Sequence, residues 1–145
     1  MYKHILIPTD GSELSLKATR EGTDFAASIK AQLTFLTTLP PFKVFAANPM
    51  MVTDTKETYK RDVEKVARQR FEEAAEYARL KGVPAVAQHV LAEHPFEAII
   101  DAAKKYKCDL IFMASHGRKG IKGIVLGSET QKVLTHSRIP VLVYR

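Results

Sequence analysis

Two rhythms alternate along this chain. Short, nearly continuous apolar runs mark strands at Lys3–Pro8 (KHILIP), Leu33–Leu39 (LTFLTTL), Pro84–Leu91, Leu110–Ala114 and Pro140–Tyr144. Between them, apolar residues recur at helical spacing. Leu14, Ala18, Phe25, Ala26 and Ile29 share one face of a helix over Ser12–Ile29. Tyr59, Val63, Val66, Ala67, Phe71, Ala74, Ala75 and Ala78 stripe a long helix over Thr55–Lys81, stopped by Gly82. Shorter helices are predicted at Pro95–Tyr106, with proline in the first turn, and at Ser128–His136.

The resulting order is β-α-β-α-β-α-β-α-β. Strands joined by helices run parallel with right-handed crossovers, and continuous apolar strands call for a sheet covered on both faces. The expected fold is α/β: a three-layer, open, parallel five-stranded sheet with helices on both faces, Rossmann-like, as one domain over residues 1–145. Such sheets bind ligands beyond the carboxyl ends of their strands, near a topological switch point. The ends of the first and fourth strands carry Pro8-Thr9-Asp10-Gly11-Ser12 and Ala114-Ser115-His116-Gly117. The last strand, Val141–Tyr144, is apolar on both faces; as a bare edge it would invite pairing with another chain, and the alternative is cover by its own helices.

One segment breaks the rhythm. Pro40–Asp54 is a long connection with three prolines and with Phe42, Phe45, Met50 and Met51. These side chains suit a lid or partner surface, or a flap that completes the core.

Charge points to the fourth crossover. The net charge is +6, and residues 101–145 carry all of it, with 9 Lys/Arg against 3 acids, while residues 1–100 balance at 13 each. Part of the excess lies at Arg118, Lys119 and Lys122 beside a glycine-rich loop that leads into the last helix. A helix N-terminus after such a loop presents backbone N–H groups and a positive dipole end to an anion, so phosphate is the simplest partner. A solvated lysine-rich face is the plainer reading. Zinc-finger spacing, an RRM signature and a basic-aromatic stripe are all missing, so nucleic acid is not expected as a partner. No apolar run approaches the length of a membrane span. One cysteine, Cys108, and no signal-like start lead to an expected cytoplasmic location, with Cys108 a packed, inert thiol.

The loop is neither a Walker A run nor G-x-G-x-x-G: Gly117, Gly120, Gly123 and Gly127 step by three, three and four. Ser128 and Gln131 fit an S-x-x-Q capping box, which is compatible with an anion site because both use the same orphan donors. Asp10 suits a ligand contact, or a helix cap and turn with Gly11. The five histidines include no HExxH or paired metal spacing, so no metal ligands are expected. Nor is there a nucleophile with a base, so any hydrolysis is expected to be slow and incidental.

Three pieces in register resemble one family across essentially the whole chain: I-L-I-P-T-D-G-S near the start, A-S-H-G-x9-G-S-E-T before the last helix, and I-P-V-L-V-Y at the end. In this combination they are similar to the universal stress proteins, the UspA-like domains. ATP-binding members carry G-x2-G-x9-G-[S/T]; here Gly117, Gly127 and Ser128 match, and Ala114 stands at the first glycine. After the third strand, Glu93-His94-Pro95 stands where G-x-P is frequent. The resemblance implies binding of ATP or another adenine nucleotide, with magnesium or manganese on the phosphates as an accompaniment. It places Pro8, Thr9 and Asp10 at the adenosine end, Thr38 beside the base, and Met113 and Ala114 beneath the ribose. His116, Gly117, Gly127, Ser128, Glu129 and Thr130 would surround the phosphates, with Arg118 and Lys119 as outer contacts. Replacing Gly127 by valine is then expected to crowd the phosphates and leave the fold intact. The implied role is a nucleotide-dependent sensor or switch in a bacterial-type stress response, dimerising through the last strand and acting on a client protein. The competing reading is a nucleotide-independent dimeric interaction module whose pocket has decayed.

Overall fold

The middle strand of the sheet is the first one in the chain. In a computed structural model, which describes residues 1–42, 55–118 and 126–145, β1 (His4–Pro8) pairs in parallel with β2 (Gln32–Leu39) on one side and β4 (Leu110–Ala114) on the other. β3 (Ala85–Leu91) and β5 (Val141–Tyr144) complete a parallel sheet in the order β3-β2-β1-β4-β5. This is the expected α/β architecture. The chain builds β2 and β3 outward from β1, then returns to the other side for β4 and β5. The switch point therefore falls between β1 and β4.

Alternation along the strands sorts the core into two layers. Ile5, Ile7, Leu33, Phe35 and Phe112 face a cluster filled by Ala18 and Ala26 of α1 (Glu13–Ile29) and by Val63, Ala67, Phe71, Ala74 and Ala78 of α2 (Lys56–Leu80). Leu6, Leu36, Ile111 and Met113 face the other layer, with Ile99, Ile100 and Ala103 of α3 (Pro95–Lys105) and Val133 of α4 (Ser128–His136). Burial of each large aliphatic side chain contributes about 1.5–3 kcal/mol. α1 lies unusually close to the sheet: a Cβ on Gly22 would sit 2.5 Å from Ile7 Cδ1.

Continuous burial holds for β1, β2 and β4 and fails for the edge strands. Every residue of β4 is buried, whereas most of β3 is exposed, including Val86 at 53%. An edge strand has cover on fewer sides, so its apolar residues do not report a doubly covered position.

Local chemistry sets the helix ends. Ser12 caps α1, its Oγ accepting from Ser15 N, and Thr55 caps α2 by accepting from Thr58 N. The capping box expected at α4 is corrected. Gly127 is the N-cap, Ser128 is the first helical residue, and no side chain among the described residues caps this helix end. The Gln131 amide reaches back to the Leu126 carbonyl instead, and Gly127 N donates to Ser115 O. That bond to the end of β4 fixes the chain one residue earlier than a Ser128 cap would require.

The Pro40–Asp54 connection is described only at its start, where the Phe42 ring meets Tyr59 of α2 with centroids 5.4 Å apart. The expectations for Phe45, Met50 and Met51, and those for Lys119 and Lys122, lie outside the described residues.

Candidate functional site

Both loops singled out by sequence arrive at the switch point, and hydrogen bonds join them. β1 runs on into Thr9, whose N–H continues the ladder to Leu36 O at 2.8 Å. The Thr9 hydroxyl is buried and shares a hydrogen bond with Ser15 Oγ at 3.0 Å, and Gly11 N–H donates to it. The chain then turns sharply at Gly11, whose φ of +77° lies in the left-handed region that favours glycine. Asp10 sits at this turn with both carboxylate oxygens occupied: Oδ1 accepts from Ser12 N at 2.9 Å, and Oδ2 accepts from Arg118 N at 2.7 Å. Burial works to raise the Asp10 pKa, and the bonds from Ser12 and Arg118 outweigh it, so the carboxyl is held below its ordinary range. Asp10 is thus both a turn residue and the tie between the β1 and β4 loops.

On the β4 side, Ser115 N donates to Tyr144 O, and Ser115 O accepts from Gly127 N, both at 2.7 Å. Thr130 Oγ1 donates to Ala114 O at 3.0 Å. These bonds fasten the start of α4 to the end of β4. The N–H groups of Ser128, Glu129 and Thr130, ahead of the first intrahelical bond from Gln131 N to Gly127 O, receive no side-chain cap among the described residues. They form a compact array of donors at the positive end of a helix dipole.

The two matching glycines serve close packing. A Cβ on Gly117 would lie 2.4 Å from Asp10 Oδ2, so only glycine leaves the carboxylate where it is. A Cβ on Gly127 would lie 3.1 Å from His116 Cα and 3.4 Å from Ser115 O. It would press on the β4 loop itself, so the expectation that valine at 127 spares the fold is revised: the constraint is backbone against backbone, independent of any ligand.

Ala114 closes β4 opposite Tyr144, and its methyl is buried with the α1/α2 core. Among the described residues only Gly11, Lys30, Gly82 and Lys107 have positive φ. Position 114 therefore needs no left-handed backbone, and alanine fits it without strain. Met113, its neighbour, is buried in the opposite layer against α3 and α4.

One side chain points to another task. Glu129 Oε2 accepts from Phe96 N at 2.9 Å, capping α3, so only the backbone of Glu129 belongs to the α4 donor array. Glu129 supplies the cap that His94, the N-cap residue of α3, does not. Pro8 and Thr38 stand half-buried at the ends of β1 and β2. His116 is half-buried, with Nδ1 3.2 Å from Ser115 Oγ.

Sequence reasoning missed Arg70. It lies three residues after Ala67 and four before Ala74, on the apolar stripe of α2, and that position was the available signal. Its Nη1 donates to the buried hydroxyl of Thr37 at 2.8 Å, and also reaches Thr38 O at 3.5 Å. Burial lowers its pKa first, the charge of Arg118 lowers it further, and Asp10 opposes both.

No group of three or more His, Cys, Asp or Glu among the described residues could hold a metal ion. Asp10, each of whose oxygens already accepts one N–H, belongs to no such group. No described helix is long and apolar enough to cross a membrane.

The model of the Universal stress protein family matches residues 1–145. The chain belongs to this family. A universal stress protein of Thermus aquaticus is 32% identical over 145 residues, with all of both chains covered. Among solved structures, the protein MJ0577 of Methanocaldococcus jannaschii aligns with a TM-score of 0.81 at 29% identity, covering 99% of this chain and 95% of that one. Two family structures share the fold at lower identity. One is in complex with cAMP (TM-score 0.70, 24% identity, 99% and 97% covered). The other, from Archaeoglobus fulgidus, is in complex with dAMP (TM-score 0.71, 16% identity, 99% and 98% covered).

Proposed function

We propose that this universal stress protein binds ATP or another adenine nucleotide where β1 and β4 part, and works as a nucleotide-dependent sensor or switch. The observation that carries the reading is the N-terminus of α4, which has no side-chain cap among the described residues and is fastened to the end of β4. Such a terminus accepts phosphate oxygens through backbone N–H groups. Family structures in complex with cAMP and dAMP support the ligand class.

In this reading Ser128, Glu129 and Thr130 offer main-chain N–H groups to the phosphates, and Gly127, whose own N–H is held by Ser115 O, lets the chain approach them. The hydroxyl of Thr130 stays with Ala114 and the carboxylate of Glu129 stays with α3. His116 and Gly117 border the phosphates, Pro8, Thr9 and Asp10 wall the adenosine, Thr38 flanks the base, and Met113 and Ala114 form the floor. Any divalent cation is carried by the phosphates. Nucleotide occupancy shifts the bonds that join Asp10 to Arg118 and so changes the surface offered to a client protein. The exposed edge of β5, with Leu142 36% exposed, serves a homodimer.

The test is chemical. Gently purified protein, denatured and resolved by anion exchange, releases adenine nucleotide, and ATP at a hundredfold excess over its Kd adds about 2.7 kcal/mol of stability. Protein that releases none and melts at the same temperature with and without ATP refutes the reading and leaves the nucleotide-independent interaction module.

A further inference from the structure

Two arginines from different parts of the chain close on Gly11. A Cβ on that residue would lie 3.1 Å from Arg118 Nη2 and 3.1 Å from Arg70 Cγ, with Arg70 Nε at 3.6 Å. One acid, Asp10, stands beside this pair, and its carboxylate is bound by the backbone N–H groups of Ser12 and Arg118. The Arg118 guanidinium donates through Nε to the Asp10 main-chain carbonyl at 2.7 Å. Neither guanidinium joins an ion pair with an acid among the described residues. Arg70 Nε is moreover a buried donor without a hydrogen-bond partner among those residues, a costly condition for a charged group.

We infer that Arg70 and Arg118 form an anion clamp at Gly11, which takes a phosphate group of the bound nucleotide. The inference rests on the nucleotide reading above and adds Arg70 as a ligand contact. Two planar guanidiniums, each able to bind phosphate oxygens in a bidentate fork, match the chemistry of a phosphoryl group. An anion between them offsets their mutual repulsion, which already lowers the pKa of Arg70, and supplies an acceptor for the buried Nε. Gly11 lets the two arginines close on it, since a Cβ there would crowd both side chains. The clamp draws on α2 and the β4 loop, so a phosphate seated in it bridges these two elements.

The test is calorimetric titration of the wild type, Arg70→Met, Arg70→Lys and Arg118→Met with ATP, adenosine and inorganic tripolyphosphate. Methionine keeps the aliphatic stem of Arg70, lysine keeps the charge without the fork, and circular dichroism verifies each fold. The clamp predicts that both methionine variants lose about tenfold in ATP affinity. Adenosine binding stays at the wild-type level, and Arg70→Lys recovers part of the loss. Unchanged ATP affinity in both methionine variants overturns the clamp. So does an equal loss for ATP and adenosine, which would mark a general disturbance of the pocket. A wild type that binds tripolyphosphate in an Arg70-dependent manner but no nucleotide keeps the clamp and overturns the nucleotide reading. Binding of neither overturns both.

Discussion

Arg118 holds Asp10 at two points: its backbone N–H donates to Asp10 Oδ2 at 2.7 Å, and its Nε donates to the Asp10 carbonyl at 2.7 Å. The loops after β1 and β4 are thereby locked across the switch point. Gly117, immediately before Arg118, is glycine because the Asp10 carboxylate occupies the space a Cβ would need.

That lock has a pH signature. The folded state holds the Asp10 pKa below its ordinary value, so folding favours the carboxylate. The stability it contributes is present above the unfolded aspartate pKa of about 3.9. It is lost as pH falls through the lower folded value. In urea titrations between pH 7 and pH 3, Asp10→Asn should be less stable than the wild type at neutral pH, with the gap closing toward the acid end. A gap of constant size down to pH 3 would show that the carboxylate charge contributes nothing.

Gly22 tests the contact between α1 and the sheet. Alanine gains about 1 kcal/mol of helix propensity. Its Cβ, 2.5 Å from Ile7 Cδ1 and 3.1 Å from Phe112 Cδ1, meets side chains that are fully or nearly fully buried. Overpacking costs about 1–3 kcal/mol, so Gly22→Ala is expected to be destabilising. Adding Ile7→Val, which removes the clashing methyl, should recover part of the loss. Denaturant midpoints for the two variants decide it, and a Gly22→Ala protein more stable than the wild type would contradict the close approach.

Gly127→Val should lower the melting temperature of nucleotide-free protein, because its first contact is the His116 backbone. A variant that melts like the wild type and loses only nucleotide binding would restore the simpler view of this glycine as room for phosphate.

Cys108 should be silent toward thiol reagents. The residue is buried among α3, β4 and Thr34, and burial pushes its thiol up to about 11. Ellman's reagent at pH 8 is expected to label native protein far more slowly than urea-unfolded protein. Equal rates would place the thiol in solvent.

Much of this molecule was legible because its strands and helices obey clean periods. Ile5-Leu6-Ile7, for example, reads as a buried strand and proves to be the centre of the sheet. The site was legible as two loops, since parallel topology alone carries Pro8–Ser12 and Ala114–Gly117 to one edge. Which side chain bonds to which was not legible. Glu129 looks like a phosphate neighbour in sequence, yet it reaches 33 positions back along the chain to Phe96 N. Ser128 and Gln131 satisfy a local cap pattern that a distant bond, Gly127 N to Ser115 O, overrides. Arg70 stayed hidden because its meaning depends on Thr37, Asp10 and Gly11, which only the fold assembles around it. Ala114 departs from the family motif, and only its strand geometry reveals that a methyl is accommodated there.

The central claim is a nucleotide seated between Asp10 and the α4 N-terminus. Isothermal titration of the purified, nucleotide-stripped chain with ATP tests it most directly. Saturable binding of one ATP per chain, weakening from ATP to ADP to AMP as phosphates are removed, is the expected result. A flat titration with all three nucleotides would contradict the account.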